Sequence, residues 1–338
     1  MYYTTIQRRI REQHLLHDVT LELTYRCNLD CFYCYNDREK TGIPLSLEQY
    51  EILLNDLARM QVMFLMLTGG EPMMHPHFFE IGRLARDLGF VVRVRTNGHS
   101  LVPSMAARLQ NEVEPYVVEV SLHGATADVH DRQTRVPGSF DRLLGNLESA
   151  KAEGLRCTMV TTPTAWNEHQ IDEMFVLSER LAVPLSFQGP VAPRDNGDTE
   201  PLSIQPAAET WEHIVELQKQ RQALQPEAES LLIGQGVAED VLPEEPAMCS
   251  VGTGGVDIDP YGNVQACMHL LQSAGNLHNQ SIEEIWNSSP VFMRARAASV
   301  AAAHRFGDAP PRQFGAPLFC IAVEENCHKS ACSGCGKK

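Results

Sequence analysis

Three cysteines, Cys27, Cys31 and Cys34, fall at positions 1, 5 and 8 of one segment, just after the apolar run VTLELT (19–24). Thiolates at that spacing can reach one metal centre together. Three protein ligands leave one position of a cubane iron–sulfur cluster, or of a zinc ion, open for a substrate. A structural zinc site is normally closed by four ligands, and no fourth Cys or His lies close in sequence. Six further cysteines (Cys249, Cys267, Cys320, Cys327, Cys332 and Cys335) follow residue 248, while Cys157 sits inside an apolar run and reads as a buried core thiol. The N-terminus, MYYTTIQRRIREQHLL, has Arg8, Arg9 and Arg11 but no apolar core, so it is not a signal peptide. Ten thiols in a chain without an export signal point to metal binding in a reducing, cytoplasmic compartment rather than to disulfides.

Positioning these thiols requires a scaffold, and the next 170 residues supply its pattern. Runs VTLELT (19–24), VMFLML (62–67), FVVRVR (90–95), YVVEVSL (116–122), RCTMVTT (156–162) and VPLSFQ (183–188) alternate with amphipathic segments of helical period. Six βα units predict parallel strands with helical crossovers, either a doubly wound sheet or a barrel short of eight units. Such folds bind ligands at the C-terminal ends of their strands. Six segments therefore share one rim: the cysteine segment, Thr68-Gly69-Gly70-Glu71-Pro72, Thr96-Asn97-Gly98, Ser121-Leu122-His123-Gly124, Thr161-Thr162-Pro163 and Gln188-Gly189-Pro190. Hydrophobic residues make up 43% and the net charge is −15, so the chain is globular and a nucleic acid is an unsuitable main partner. No apolar run reaches the length of about 18 residues that spans a bilayer.

The pairing of C-x3-C-x2-C (Cys27, Cys31, Cys34, with aromatic Tyr33 before the last) and GGEP at 69–72 resembles the radical S-adenosylmethionine (SAM) enzymes. The resemblance covers about the first 190 residues and implies a partial (β/α)6 TIM barrel. It implies that the three cysteines hold a 4Fe–4S cluster whose open iron is chelated by SAM. Electron transfer into SAM then yields methionine and a hydrogen-abstracting 5′-deoxyadenosyl radical. By the same likeness Gly69, Gly70, Glu71 and Pro72 contact the SAM amino group, with backbone carbonyl and carboxylate as acceptors, and Tyr33 lies by the adenine. Asn97 and Ser121 are candidates for the ribose or carboxylate, and Gln188 completes the cofactor-binding rim. His123 stands where relatives often carry Asp and is a candidate catalytic residue. His75 and His77 read as capping or solvated residues.

Beyond residue 190 the pattern changes. An acidic, partly helical bridge (191–247, with a helix around Ala207–Gln222) leads to a hairpin about Pro260-Tyr261-Gly262-Asn263 and a helix over 281–304. The spacing C-x12-G-x4-C from Cys249 to Cys267 looks like the opening of a SPASM or twitch extension, an α+β domain that holds auxiliary iron–sulfur clusters. The tail C-x6-C-x4-C-x2-C matches the SPASM run only approximately, and the chain ends before the final cysteine expected of it. The expected division is 1–190 barrel, 191–247 bridge and 248–338 auxiliary-cluster domain. Six thiols complete one 4Fe–4S cluster, by Cys249, Cys267, Cys332 and Cys335, with Cys320 and Cys327 left for a second, partly open cluster or as catalytic hydrogen-atom donors. A zinc ribbon in the tail is the bland alternative.

The resemblance implies a peptide or protein substrate, modified by crosslinking, oxidation, epimerisation or backbone cleavage. Small-molecule cofactor maturation, such as tetrapyrrole modification, is the second reading. A non-catalytic zinc-binding interaction protein is the third. About 18 residues precede the first strand, too few for a leader-binding domain, so a leader peptide is expected to need a separate partner protein. An electron donor such as flavodoxin or ferredoxin is also implied.

Overall fold

The computed structural model describes residues 2–189, 191–224, 251–268 and 270–297. Helix α1 (Tyr2–Gln13) leads into alternating strands and helices: β1 (Asp18–Glu22), α2 (Leu47–Arg59), β2 (Phe64–Thr68), α3 (Phe78–Asp87) and β3 (Val91–Thr96). Then come α4 (Pro103–Arg108), β4 (Val117–Ser121), α5 (Ala127–Thr134), α6 (Ser139–Ala152), β5 (Cys157–Thr161), α7 (Ile171–Leu181) and β6 (Leu185–Phe187). The six predicted strands form within a residue or two of their predicted bounds. All pair in parallel, in the order β6-β5-β4-β3-β2-β1. Gly89 (φ +87°) and Gly154 (φ +84°) close α3 and α6 in the left-handed conformation that glycine adopts without a Cβ clash.

Alternation along the strands divides the sheet. In β3 Val92 and Val94 are buried in the core while Arg93 and Arg95 face the other side, and both guanidiniums bond Glu119 of β4. Successive strand residues point to opposite faces, so V-R-V-R opposite V-E-V gives one apolar face under the helices and one polar face. Cys157 lies in the apolar core, as expected of it.

Five elements follow: α8 (Ala208–Leu224), β7 (Gly255–Ile258), β8 (Asn263–Cys267), β9 (Leu270–Asn276) and α9 (Ile282–Ser288). Helix α8 lays Trp211, Ile214 and Leu217 against Ile171 and Phe175 of α7 and Phe187 of β6. The predicted hairpin forms, with Asp257 opposite Gln265 and Ile258 opposite Val264. Strand β7 pairs in parallel with β1, so the hairpin extends the sheet to nine strands beside the cysteine segment. The helix expected over 281–304 is interrupted. α9 ends at Ser288, Ser289 is extended (ψ 129°), and helix resumes at 290–297, because a residue before proline is driven out of the helical region and Pro290 suits a helix start. Residues 298–304 of that expectation lie outside the described residues. Helix α1 had no counterpart among the predicted elements. The segment that follows it is tied to the extension: His17 N–H donates to Gly254 O at 2.9 Å and Trp286 Nε1–H to His14 O at 2.9 Å. No helix among the described residues is long and apolar enough to cross a membrane.

Candidate active site

The cysteine loop leaves β1 and runs alongside the turn that follows β2. Gly70 N–H donates to Thr24 O at 2.6 Å and Glu71 N–H to Arg26 O at 2.9 Å, one residue before Cys27. This approach explains both glycines. A Cβ on Gly69 (φ +126°) would lie 2.4 Å from Thr24 O, and one on Gly70 2.5 Å from Arg26 O. Pro72 starts a short 3₁₀ turn and is buried. Glu71 is fully buried, and its carboxylate accepts from Thr96 Oγ1 (2.9 Å), Asn97 N (3.0 Å) and Met73 N (3.3 Å), while burial pushes its pKa up to about 7.

The three thiols are half-buried. Burial pushes the pKa of each upward, and for Cys31 the neighbouring Cys34 and Cys27 thiolates push the same way. Thiols with pKa values raised in this way become thiolates together only beside a cationic centre. Donors already point at it: Leu29 N–H and Asn97 Nδ2–H approach Cys27 Sγ at 3.4 and 3.6 Å, and the Asn36 backbone bonds the Cys34 thiol. N–H···S bonds of this kind tune iron–sulfur centres. Among the described residues no three His, Cys, Asp or Glu side chains are placed to hold a single metal ion. What fits the three thiols to an iron–sulfur cluster is their place on one loop and the N–H donors aimed at Cys27 and Cys34. Asn97 also donates to Asn28 Oδ1 at 2.7 Å and accepts from His99 N at 2.9 Å.

Tyr33 turns from the loop toward β4 and β5. Its hydroxyl lies 3.0 Å from His123 Nδ1 and also bonds Thr162. Burial raises Tyr33 and lowers His123 to about 4, so both are neutral near pH 7 and the phenol can donate to the imidazole. The backbone N–H of His123 donates to His130 Nδ1 at 3.2 Å. Ser121 is half-buried at the end of β4, and Gln188 N–H donates to Thr161 O at 2.8 Å beyond β6. His75 accepts from His77 N–H at 3.2 Å, a local turn bond. Cys267 ends β8 and is half-buried, whereas Cys249, Cys320, Cys327, Cys332 and Cys335 lie outside the described residues.

Sequence reading placed Thr162 on the rim but missed other partners that complete it. His130 carries no motif of its own. Neither does Glu22, which accepts from Tyr35 Oη at 2.6 Å and Tyr25 Oη at 3.3 Å. The V-R-V-R and V-E-V alternation was the one available signal for the Arg93–Glu119–Arg95 group.

Comparison with known proteins agrees with this geometry. Residues 21–177 match the radical SAM superfamily, and residues 249–310 match SPASM, an iron–sulfur cluster-binding domain. Mycofactocin maturase MftC of Mycobacterium tuberculosis is 33% identical over 298 residues, spanning 84% of this chain and 74% of the relative. AdoMet-dependent heme synthase of Methanosarcina barkeri is 28% identical over 298 residues, spanning 82% and 84%. The crystal structure of Streptococcus suis SuiB bound to precursor peptide SuiA shares the fold, with a TM-score of 0.68 at 17% identity over 87% of this chain and 72% of that one. The chain belongs to the radical SAM superfamily of enzymes and carries a SPASM-type iron–sulfur domain. Its cofactors are accordingly a 4Fe–4S cluster, SAM and auxiliary iron–sulfur chemistry. The non-catalytic zinc reading gives way to an enzyme.

Proposed function

We propose that the chain is a maturase of a ribosomally made peptide, acting by hydrogen abstraction from a substrate carbon. The observation that carries the reading is the backbone pairing of the Gly69–Glu71 turn with residues 24–26, which sets the second motif beside the three thiols. When bound, the cluster and SAM supply an electron and a 5′-deoxyadenosyl radical. Cys27, Cys31 and Cys34 would hold that cluster. Glu71, bonded to Thr96 and Asn97, fixes the turn, and its carboxylate and the backbone carbonyls of Gly69 and Gly70 would offer acceptors to the SAM ammonium. Asn97 steadies Cys27, Pro72 shapes the turn, and Ser121 and Gln188 line the rim. His123 holds the Tyr33 ring through its hydroxyl and faces the reacting groups. Cys249, Cys267, Cys332 and Cys335 carry the auxiliary cluster. Cys320 and Cys327 ligate a second one or donate a hydrogen atom. Residues 1–190, 191–247 and 248–338 act as barrel, bridge and auxiliary domain. The likeness to SuiB, solved with a precursor peptide bound, supports a peptide substrate; a cytoplasmic setting, an electron donor and a leader-binding partner protein belong to the same proposal.

Tetrapyrrole modification is the second reading, favoured by the likeness to the heme synthase along most of both chains. Anaerobic reconstitution, reductant and SAM, with a precursor peptide or a tetrapyrrole, separates the two by mass change of the added substrate. Replacing Cys27, Cys31 and Cys34 with Ala should remove about one cluster of iron and abolish 5′-deoxyadenosine formation. Retained formation would show that another centre cleaves SAM.

A further inference from the structure

We infer that the segment leaving β6, through the Arg194 guanidinium and the Asp195 backbone N–H, orients the peptide groups on either side of Cys34 and so sets the reduction potential of the first cluster. The inference rests on the reading that Cys27, Cys31 and Cys34 hold that cluster.

Cys34 closes a tight turn. Its N–H donates to Cys31 O at 3.1 Å, with Phe32 and Tyr33 at the centre. Turns of this kind differ in type by rotation of their central peptide, here the one joining Phe32 to Tyr33. Arg194 fixes that rotation, since its Nη2–H donates to Phe32 O at 3.1 Å. The preceding peptide is held from the other side, by Phe32 N–H donating to Gln133 O of α5 at 3.0 Å. Asp195 N–H then donates to Tyr35 O at 2.8 Å. A trans peptide points its C=O and N–H in opposite directions. The peptide joining Tyr35 to Asn36 therefore has its oxygen held by the segment after β6 and its N–H bonded to the Cys34 thiol. β6 and β1 stand at opposite ends of the six parallel strands, so these bonds reach across the open side of the partial barrel.

The contact acts through direction rather than charge. Arg194 is bonded to Asp198 and, at 2.9 Å, to Glu200, so one cation meets two carboxylates and brings no net positive charge to the loop. Asp195 supplies a backbone N–H, and its own carboxylate feels Lys40, Asp259 and Asp37. The segment holds its shape by itself: Arg194 N–H donates to Asp198 O at 2.9 Å and Gly197 N–H to Arg194 O at 2.8 Å. An N–H aimed at a ligand sulfur eases the added negative charge of a reduced cluster, and a donor on the same peptide's oxygen polarises that N–H further. On reduction the cluster gains one electron from the reductant, and no bond forms or breaks.

The test is a redox titration of the anaerobically reconstituted full chain with photoreduced deazaflavin, reading the EPR signal that changes when SAM is added. Asp195→Ala loses the carboxylate and keeps the N–H, whereas Asp195→Pro loses both. The Pro variant should lie below the Ala variant by about a tenfold change in the reduction equilibrium, about 59 mV for one electron. Arg194→Met/Glu200→Gln removes the donor to Phe32 O and keeps the local charge of the parent. It should shift the same way, and Arg194→Lys, which retains a donor, should stay near the parent. Midpoints are read from the cluster each variant retains, and the Arg194 variants decide alone if the Pro variant binds no iron. Parent-like midpoints in both Asp195→Pro and the Arg194→Met/Glu200→Gln variant overturn the inference. So does an equal shift in Asp195→Ala and Asp195→Pro, since the carboxylate would then be the cause. A parent signal that persists in Cys34→Ala would instead remove the assignment of the thiols beneath it.

Discussion

At Gly70 the smallest side chain does the most specific work of the site. Its Cβ position lies 2.5 Å from Arg26 O and 2.7 Å from Tyr25 O, both rigid backbone atoms, so a methyl group there must displace the start of the cysteine loop. Gly70→Ala should therefore lower iron bound at the first cluster and cut SAM cleavage by at least about tenfold. Clashes of this kind, costing several kcal/mol, are not relieved by rotamer changes. Iron content and 5′-deoxyadenosine yield check it, and parent-like values for both would mean that the loop backbone yields freely. The motif GGEP was legible in sequence, but which atom each glycine avoids was not.

Among the elements, α5 and α6 show how a short polar link positions the rim. The Asp131 carboxylate, in α5, accepts from Gly138 N (2.6 Å), Ser139 Oγ (2.7 Å) and Phe140 N (2.8 Å), satisfying orphan donors at the start of α6. These bonds outweigh its desolvation and hold its pKa below the usual value of 3.8. The stabilisation is therefore present above about pH 3.8 and is lost as pH falls through the lower folded-state value. Asp131→Ala should cost about 2 kcal/mol at pH 7, and the difference from the parent should vanish in strong acid. Thermal melts of both proteins across pH read this, and a constant difference would contradict it. The helical period of α6 was visible in sequence and that of α5 was not. Helix α5 is eight residues long and its face against the sheet is polar, with His130, Gln133 and Thr134 buried, so hydrophobic periodicity gave no signal.

Across the whole molecule, folding gathers carboxylates that the sequence keeps far apart. Glu22 of β1 faces the charges of Asp195, Asp257 and Asp259, and burial first, then these neighbours, push its pKa up to about 8 against the bond from Tyr35. Asp195 and Asp257 are each raised to about 6, also chiefly by burial. An acid whose folded-state pKa is raised favours folding below its ordinary value and loses that contribution as pH rises, here from about 4.5 through about 8 for Glu22. Glu22→Gln removes the alkaline loss. It should match the parent near pH 5 and exceed it in thermal stability at pH 9. Identical pH profiles would mean that Glu22 is ionised in the folded protein throughout.

The sequence by itself determined what is written locally. The loop of Cys27, Cys31 and Cys34, the GGEP turn and the six strands all follow from spacings within one βα unit, where chain connectivity fixes geometry. It also indicated the hairpin after Asp259, because turn chemistry is local. Tertiary structure alone decided the rest. Tyr33 meets His123 across 90 positions, β7 chooses the edge of β1, and Arg135 comes to lie over Phe32. No local pattern encodes such pairs. They depend on which strands become neighbours and in what register, and that is set by the burial of whole faces rather than by any one segment.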